Sequence, residues 1–111
     1  MSTETVEIIS RYSRAQAIED GVLVEIPTEK TMFKWPVAFT VALWAEVKRQ
    51  SDPDAWIWDV CWMSLVYSKR QRGADTFFPC ILGRKTHHLW ANAGPGDNGE
   101  PVITIGYPED R

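Results

Sequence analysis

The sequence is short of several things that would announce a function. Its 2 cysteines and 2 histidines in 111 residues leave little material for a thiolate or imidazole metal site. No stretch approaches the roughly 18 apolar residues of a membrane-spanning helix, and the opening MSTETVEIIS lacks the basic-then-apolar order of a secretion signal. No membrane contact is therefore expected, and a cytoplasmic location is. There is no basic excess either: Lys and Arg number 12 against 15 acids, giving a net charge of −3. That balance disfavours a dedicated nucleic-acid binder. The densest basic cluster, Lys69, Arg70 and Arg72, is read as opposing the negative end of a helix dipole.

What is present is ordinary globular material in a length suited to one domain. Hydrophobic residues make up 44% and charged residues 24%, enough to build a single core. Cys61 lies in an apolar run and Cys80 follows Phe77, Phe78 and Pro79, so both are read as buried thiols rather than a bridge. The six tryptophans exceed what one small core requires. They are expected to fill the core and to leave some aromatic surface for a partner.

Helix signals dominate the first two thirds. Val6 to Ile9 with Tyr12 form a short apolar stretch, followed by SRAQAIEDG with Ser13 as N-cap, Gln16 completing a capping box and Gly21 as the stop. A short helix from Arg14 to about Asp20 is expected, then an extended segment over Val22 to Ile26. Thr28 is expected to cap a brief turn. Pro36 stands at a first helical position, and Phe39, Leu43 and Val47 recur at i, i+4, i+8, which predicts a helix from Val37 to about Gln50. Asp52-Pro53 opens another, running to about Arg72 before Gly73 and apolar nearly all round, so it is expected to be central.

After Gly73 the pattern becomes β. Thr76 to Leu82, Thr86 to Asn92 and Val102 to Tyr107 read as three strands, the first pair joined at Gly83-Arg84 and the second across GPGDNGEP, residues 94–101. The expected fold is α+β: a short N-terminal helix and two longer helices packed on a C-terminal three-stranded antiparallel meander.

The glycine-rich 94–101 segment invites a phosphate- or calcium-loop reading, but no helix start or lysine follows it and its acids lack EF-hand spacing. Turn chemistry explains it better, with Pro95-Gly96 at the centre of a type II turn and Asn98-Gly99 at positive φ. Adjacent His87 and His88 on a strand point to opposite faces, so they do not form a metal pair; a site shared with Cys80 has no known spacing to support it. No catalytic residue, metal or cofactor is expected. Asp59, set among Trp56, Trp58, Trp62 and Met63, must be exposed, paired with a cation such as Arg14, Lys34 or Arg84, or functional. The remaining candidates for ligand binding are Arg14 and Glu19 on the short helix, with Arg11, Asp20 and Glu25 nearby, and Asp97 and Asn98 in the loop.

Three stretches carry a resemblance. RAQAIEDGVLVE at 14–25, KWPVAFTVALW at 34–44 and GPGDNGEPVITI at 94–105 resemble an uncharacterised domain family of small proteins from bacteria, phages and plasmid-like mobile elements, and WIWDVCWM at 56–63 looks like its tryptophan-containing segment. The resemblance implies an accessory protein and carries over no functional residue. The leading expectation is a non-enzymatic protein acting through a protein partner or a homodimer. The alternatives are a small-molecule or nucleotide enzyme using Arg14, Glu19, Asp59 or the 94–99 loop, and a nucleic-acid-associated regulatory or antirestriction protein.

Overall fold

The structure is a computed structural model that describes residues 13–111. The apolar stretch at Val6 to Ile9 and Tyr12, and Arg11 with it, lie outside the described residues. In chain order the elements are α1 (Arg14–Glu19), β1 (Leu23–Ile26), β2 (Val37–Thr40), α2 (Val41–Val47), α3 (Pro53–Ser68), β3 (Asp75–Leu82), β4 (Lys85–Pro95) and β5 (Pro101–Gly106). Single 3-10 turns occupy Thr28–Lys30 and Pro108–Asp110.

The α+β class holds, but the three-stranded antiparallel meander is overturned. The strands form one five-stranded sheet in the order β1-β2-β5-β4-β3. β3-β4-β5 do run antiparallel to one another, yet β2 joins β5 in parallel, pairing Val37 with Ile103 and Phe39 with Ile105, and β1 adds antiparallel beyond it. The error lies at 37–40, which is strand and not helix. All four residues of Val-Ala-Phe-Thr are buried, as befits an internal strand covered on both faces, and a short wholly apolar run cannot display a period of two. The helix begins only at Val41, where the Thr40 hydroxyl accepts from the Leu43 N–H as N-cap. Phe39, Leu43 and Val47 are all fully buried, so the stripe marks the core correctly while Phe39 reaches it from a strand. Only α3 is a long helix, at 16 residues against 7 for α2.

Local signals are obeyed more closely. Ser13 caps α1 by accepting from Gln16 N–H, and the helix closes in a Schellman motif, with Gly21 at φ 78° donating to the Ile18 carbonyl and Val22 N–H to that of Ala17. The Gln16 side chain does not complete a capping box; it donates to Asp20 instead. Thr28 does not cap its turn, which has no side-chain cap. Asp52 caps α3 with Pro53 at its start.

One face of the sheet carries Val37, Phe39, Phe78, Leu89, Ile103 and Ile105 into the core against Leu43 and Val47 of α2 and Ile57, Val60 and Cys61 of α3. The core is chiefly aliphatic, contrary to the expectation that tryptophan supplies its bulk: among the six, only Trp90 is buried. Nor is α3 enclosed. Ile57, Val60, Cys61 and Ser64 face inward, while Trp58 and Trp62 stand about half exposed, at 47% and 50%. A helix apolar all round here marks one buried side and one bare side.

Candidate functional site

The sequence candidates fall into separate places. Arg14 and Asp97 meet. The Asp97 carboxylate accepts from the backbone N–H groups of Arg14 (2.8 Å) and Ala15 (3.0 Å), and these two bonds hold its pKa below the usual carboxylate range. The Arg14 guanidinium turns into the sheet, donating to Thr104 Oγ1 at 2.7 Å and to the Ile103 carbonyl at 2.8 Å. Burial lowers its pKa, an effect opposed by Glu25, Asp97 and Glu100. The concavity between α1 and the loop measures about 170 Å³ and includes Arg14, Glu25, Asp97 and Glu100, but neither Glu19 nor Asp59. Arg14 and Asp97 thus pin α1 to the β4–β5 hairpin, and their polar groups are spent on the fold.

The hairpin itself is a turn with an αL glycine. Gly99 N–H donates to the Gly96 carbonyl around Asp97 and Asn98, and Gly99 alone in the loop has positive φ, at 82°. Two details depart from expectation. Asn98 is not at positive φ; its N–H is held by the Glu100 carboxylate at 3.0 Å. Gly96 is not the positive-φ centre of a type II turn either. It is required for close approach, since a β-carbon there would strike the Glu100 and Val102 side chains.

Several other chemistry-bearing groups are also engaged, whereas Glu19 and His88 stand exposed on the surface. Cys80 stands opposite His87 across the β3–β4 ladder, but burial pushes its thiol up to about 11 and that of Cys61 to about 12, which disfavours thiolate. His87 Nδ1 and Tyr107 Oη share a hydrogen bond of 2.9 Å, and burial with nearby carboxylates raises the tyrosine to about 12. Trp90 Nε1 and Asn92 Nδ2 both donate to Asp75 at 2.9 Å. Arg70, in the basic cluster after α3, lies over the Tyr67 ring.

Asp59 differs in its setting. It is exposed, and no hydrogen bond or ion pair reaches it among the described residues; Arg14 is bonded to the sheet, and neither Lys34 nor Arg84 pairs with Asp59 or lines the groove beside it. It stands on α3 between Trp56 and Trp62, three residues to either side, and so shares one flank of the helix with them and with Met63. That flank overhangs β3, the sheet edge, where Pro79, Cys80 and Ile81, with Thr86 of the adjoining β4, complete an open groove of about 490 Å³. Trp62 is 50% and Ile81 60% exposed, and Asp59 is the single charged residue lining the groove among the described residues. The tryptophan content hinted at this surface; the contribution of β3 depended on a sheet edge that no local pattern reveals.

The edge of β3 is closed to simple strand addition at Phe77 and Pro79. The Gln71 side chain donates to the Phe77 carbonyl at 2.7 Å and accepts its N–H at 2.9 Å, as a neighbouring strand would. Two residues on, the next position facing outward is Pro79, which has no N–H to offer. Beside that stretch the groove presents a broad apolar surface with one carboxylate that no cation of the described residues compensates. Among the described residues, no helix is long and apolar enough to cross a membrane.

No known protein family, curated protein or solved structure matches the chain, so nothing bears on the resemblance to the phage and plasmid family.

Proposed function

We propose that the chain is a non-enzymatic binding protein that docks another polypeptide on the groove between α3 and β3. The observation carrying this is the exposure of Trp62 and Ile81 at a concave surface, since tryptophan held half in water at a groove is the residue type that most often anchors protein interfaces. The separation of Glu19 and Asp59 from the Arg14–Asp97 pair weighs against an enzyme built from those groups. The net charge of −3 weighs against nucleic acid. The resemblance to mobile-element proteins fits a cytoplasmic accessory role of this kind.

The test compares wild type with Trp62→Ala in sedimentation velocity and in affinity capture from the lysate of the source organism. The expected result is a defined complex, with a partner or with a second copy, that Trp62→Ala abolishes while circular dichroism stays unchanged. A wild-type protein that remains monomeric and captures nothing dependent on Trp62 refutes the proposal.

A further inference from the structure

Resting on that reading, we infer that the occupant of the α3–β3 groove is a polypeptide segment presenting a lysine or arginine between apolar side chains, with the cation seated at Asp59 against the indoles of Trp56 and Trp62. The argument is one of complementarity. Among the described residues Asp59 is the one charge lining the groove and no cation reaches it, although Lys30 and Asp54 find each other near the start of the same helix. A wholly apolar occupant would strip water from this carboxylate and return nothing, an unfavourable exchange. A cation removes that cost and gains the aromatic faces three residues away on each side.

The groove's form narrows the occupant further. Met63, Pro79 and Ile81 supply apolar contact beside the carboxylate, which suits aliphatic side chains flanking the cation. Gln71 and Pro79 stop the occupant from extending the sheet along Phe77–Pro79, so specificity there runs through side chains. A second copy related by a two-fold axis through the groove would set Asp59 against Asp59, and the chain's overall charge of −3 adds to that repulsion.

The experiment uses the full chain and three capped peptides of sequence Gly-Leu-Leu-X-Leu-Leu-Gly, with X as lysine, glutamine or glutamate. Binding is followed by NMR of the indole N–H signals, with those of Trp56 and Trp62 assigned through their phenylalanine variants. The expected result is that the lysine peptide shifts both signals and binds about tenfold more tightly than the glutamine peptide, with the glutamate peptide weakest; an exposed ion pair plus a cation–π contact supplies a difference of that order. Asp59→Asn reduces the lysine preference to about threefold or less while leaving the glutamine peptide's affinity in place, and Trp62→Ala weakens all three.

Equal binding of the lysine and glutamine peptides overturns the cationic occupant while leaving the groove as a docking surface. Indole shifts that depend on protein concentration alone, with no peptide effect, overturn it in favour of a second copy. If neither peptides nor concentration move the Trp62 signal, both the inference and the docking reading fail.

Discussion

The two sides of this molecule treat charge in opposite ways. Where α1, the β4–β5 hairpin and the C-terminal turn meet, charged and polar groups are closed on one another: Asp97 on two backbone N–H groups, Arg14 on Thr104 and Ile103, Asp110 on Thr40 and the Tyr107 N–H. On the α3–β3 side a carboxylate stands among tryptophans with no partner. Charge density in the sequence is thus a poor guide to function here. Within the dense cluster at 14–20 and 97–100, Arg14, Asp97 and Glu100 are tied into the fold, while the acid in an apolar helix is left without a partner among the described residues.

The strongest way to break this contrast is to force the latched side apart. Gly106 is buried beside Thr40, and a β-carbon there would meet the Thr40 side chain and the Asp110 carboxylate. Thr40 cannot swing away freely, because its hydroxyl accepts from Leu43 N–H as the cap of α2 and donates to Asp110 at 2.7 Å. Gly106→Ala is therefore expected to cost about 2–4 kcal/mol of folding stability in urea titrations. A loss below about 1 kcal/mol would mean that the C-terminal turn is a loose appendage and not part of the latch.

Next in size is the pin through Arg14. Arg14→Ala removes a half-buried guanidinium and leaves the Thr104 hydroxyl and Ile103 carbonyl without their donor, for an expected loss of about 1–3 kcal/mol. If instead stability is kept and a ligand-binding function is lost, Arg14 belongs to a site and the contrast between the two sides is wrong. Acid should act in the same direction. Asp97 and Asp75 both have pKa values depressed in the folded chain, so each contributes stability that is present above the unfolded value of about 3.9 and is lost as pH falls through its folded value. Urea midpoints measured from pH 6 to pH 2 should fall below about pH 4. Asp97→Ala should start lower and fall less steeply.

The sequence was most legible where a residue acts on its own backbone neighbours. Ser13, Gly21, Asp52, Gly83 and Gly99 each sit where a cap, a helix stop or a turn demands them. It failed where a segment's state depends on a distant partner. Nothing local distinguishes VAFT at 37–40 from helix; it becomes strand because Ile103 and Ile105, more than sixty positions later, offer a parallel ladder and the Pro36 carbonyl accepts from Ile103 N–H. The groove suffered the same way. WIWDVCWM shows an acid among tryptophans, but its second wall, at Pro79, Ile81 and Thr86, exists only once β3 becomes the sheet edge. Asp97, by contrast, stood out in the sequence as a ligand candidate and is found capping α1, because a carboxylate that caps a helix from 82 and 83 positions away is indistinguishable in sequence from one that awaits a ligand.

The smallest expected effect is the one that sharpens the comparison most. Trp62 and Asp59 lie on the outer flank of α3, half exposed and exposed, and Asp59 makes no bond that a substitution could break. Asp59→Asn should leave folding stability within about 0.5 kcal/mol of wild type. Trp62→Ala should cost little more, since the indole is not enclosed by the core that Ile57, Val60 and Cys61 form on the opposite flank. Asparagine is neutral where aspartate carries a full negative charge, and the two are similar in size and helix propensity, so the first change isolates the carboxylate charge itself. Should Asp59→Asn raise stability by more than about 1 kcal/mol, the carboxylate is being held in an apolar setting at a cost to the folded chain, the mark of a group retained for binding. Should it lower stability by that much, Asp59 has a structural partner and the α3–β3 side is latched like the other.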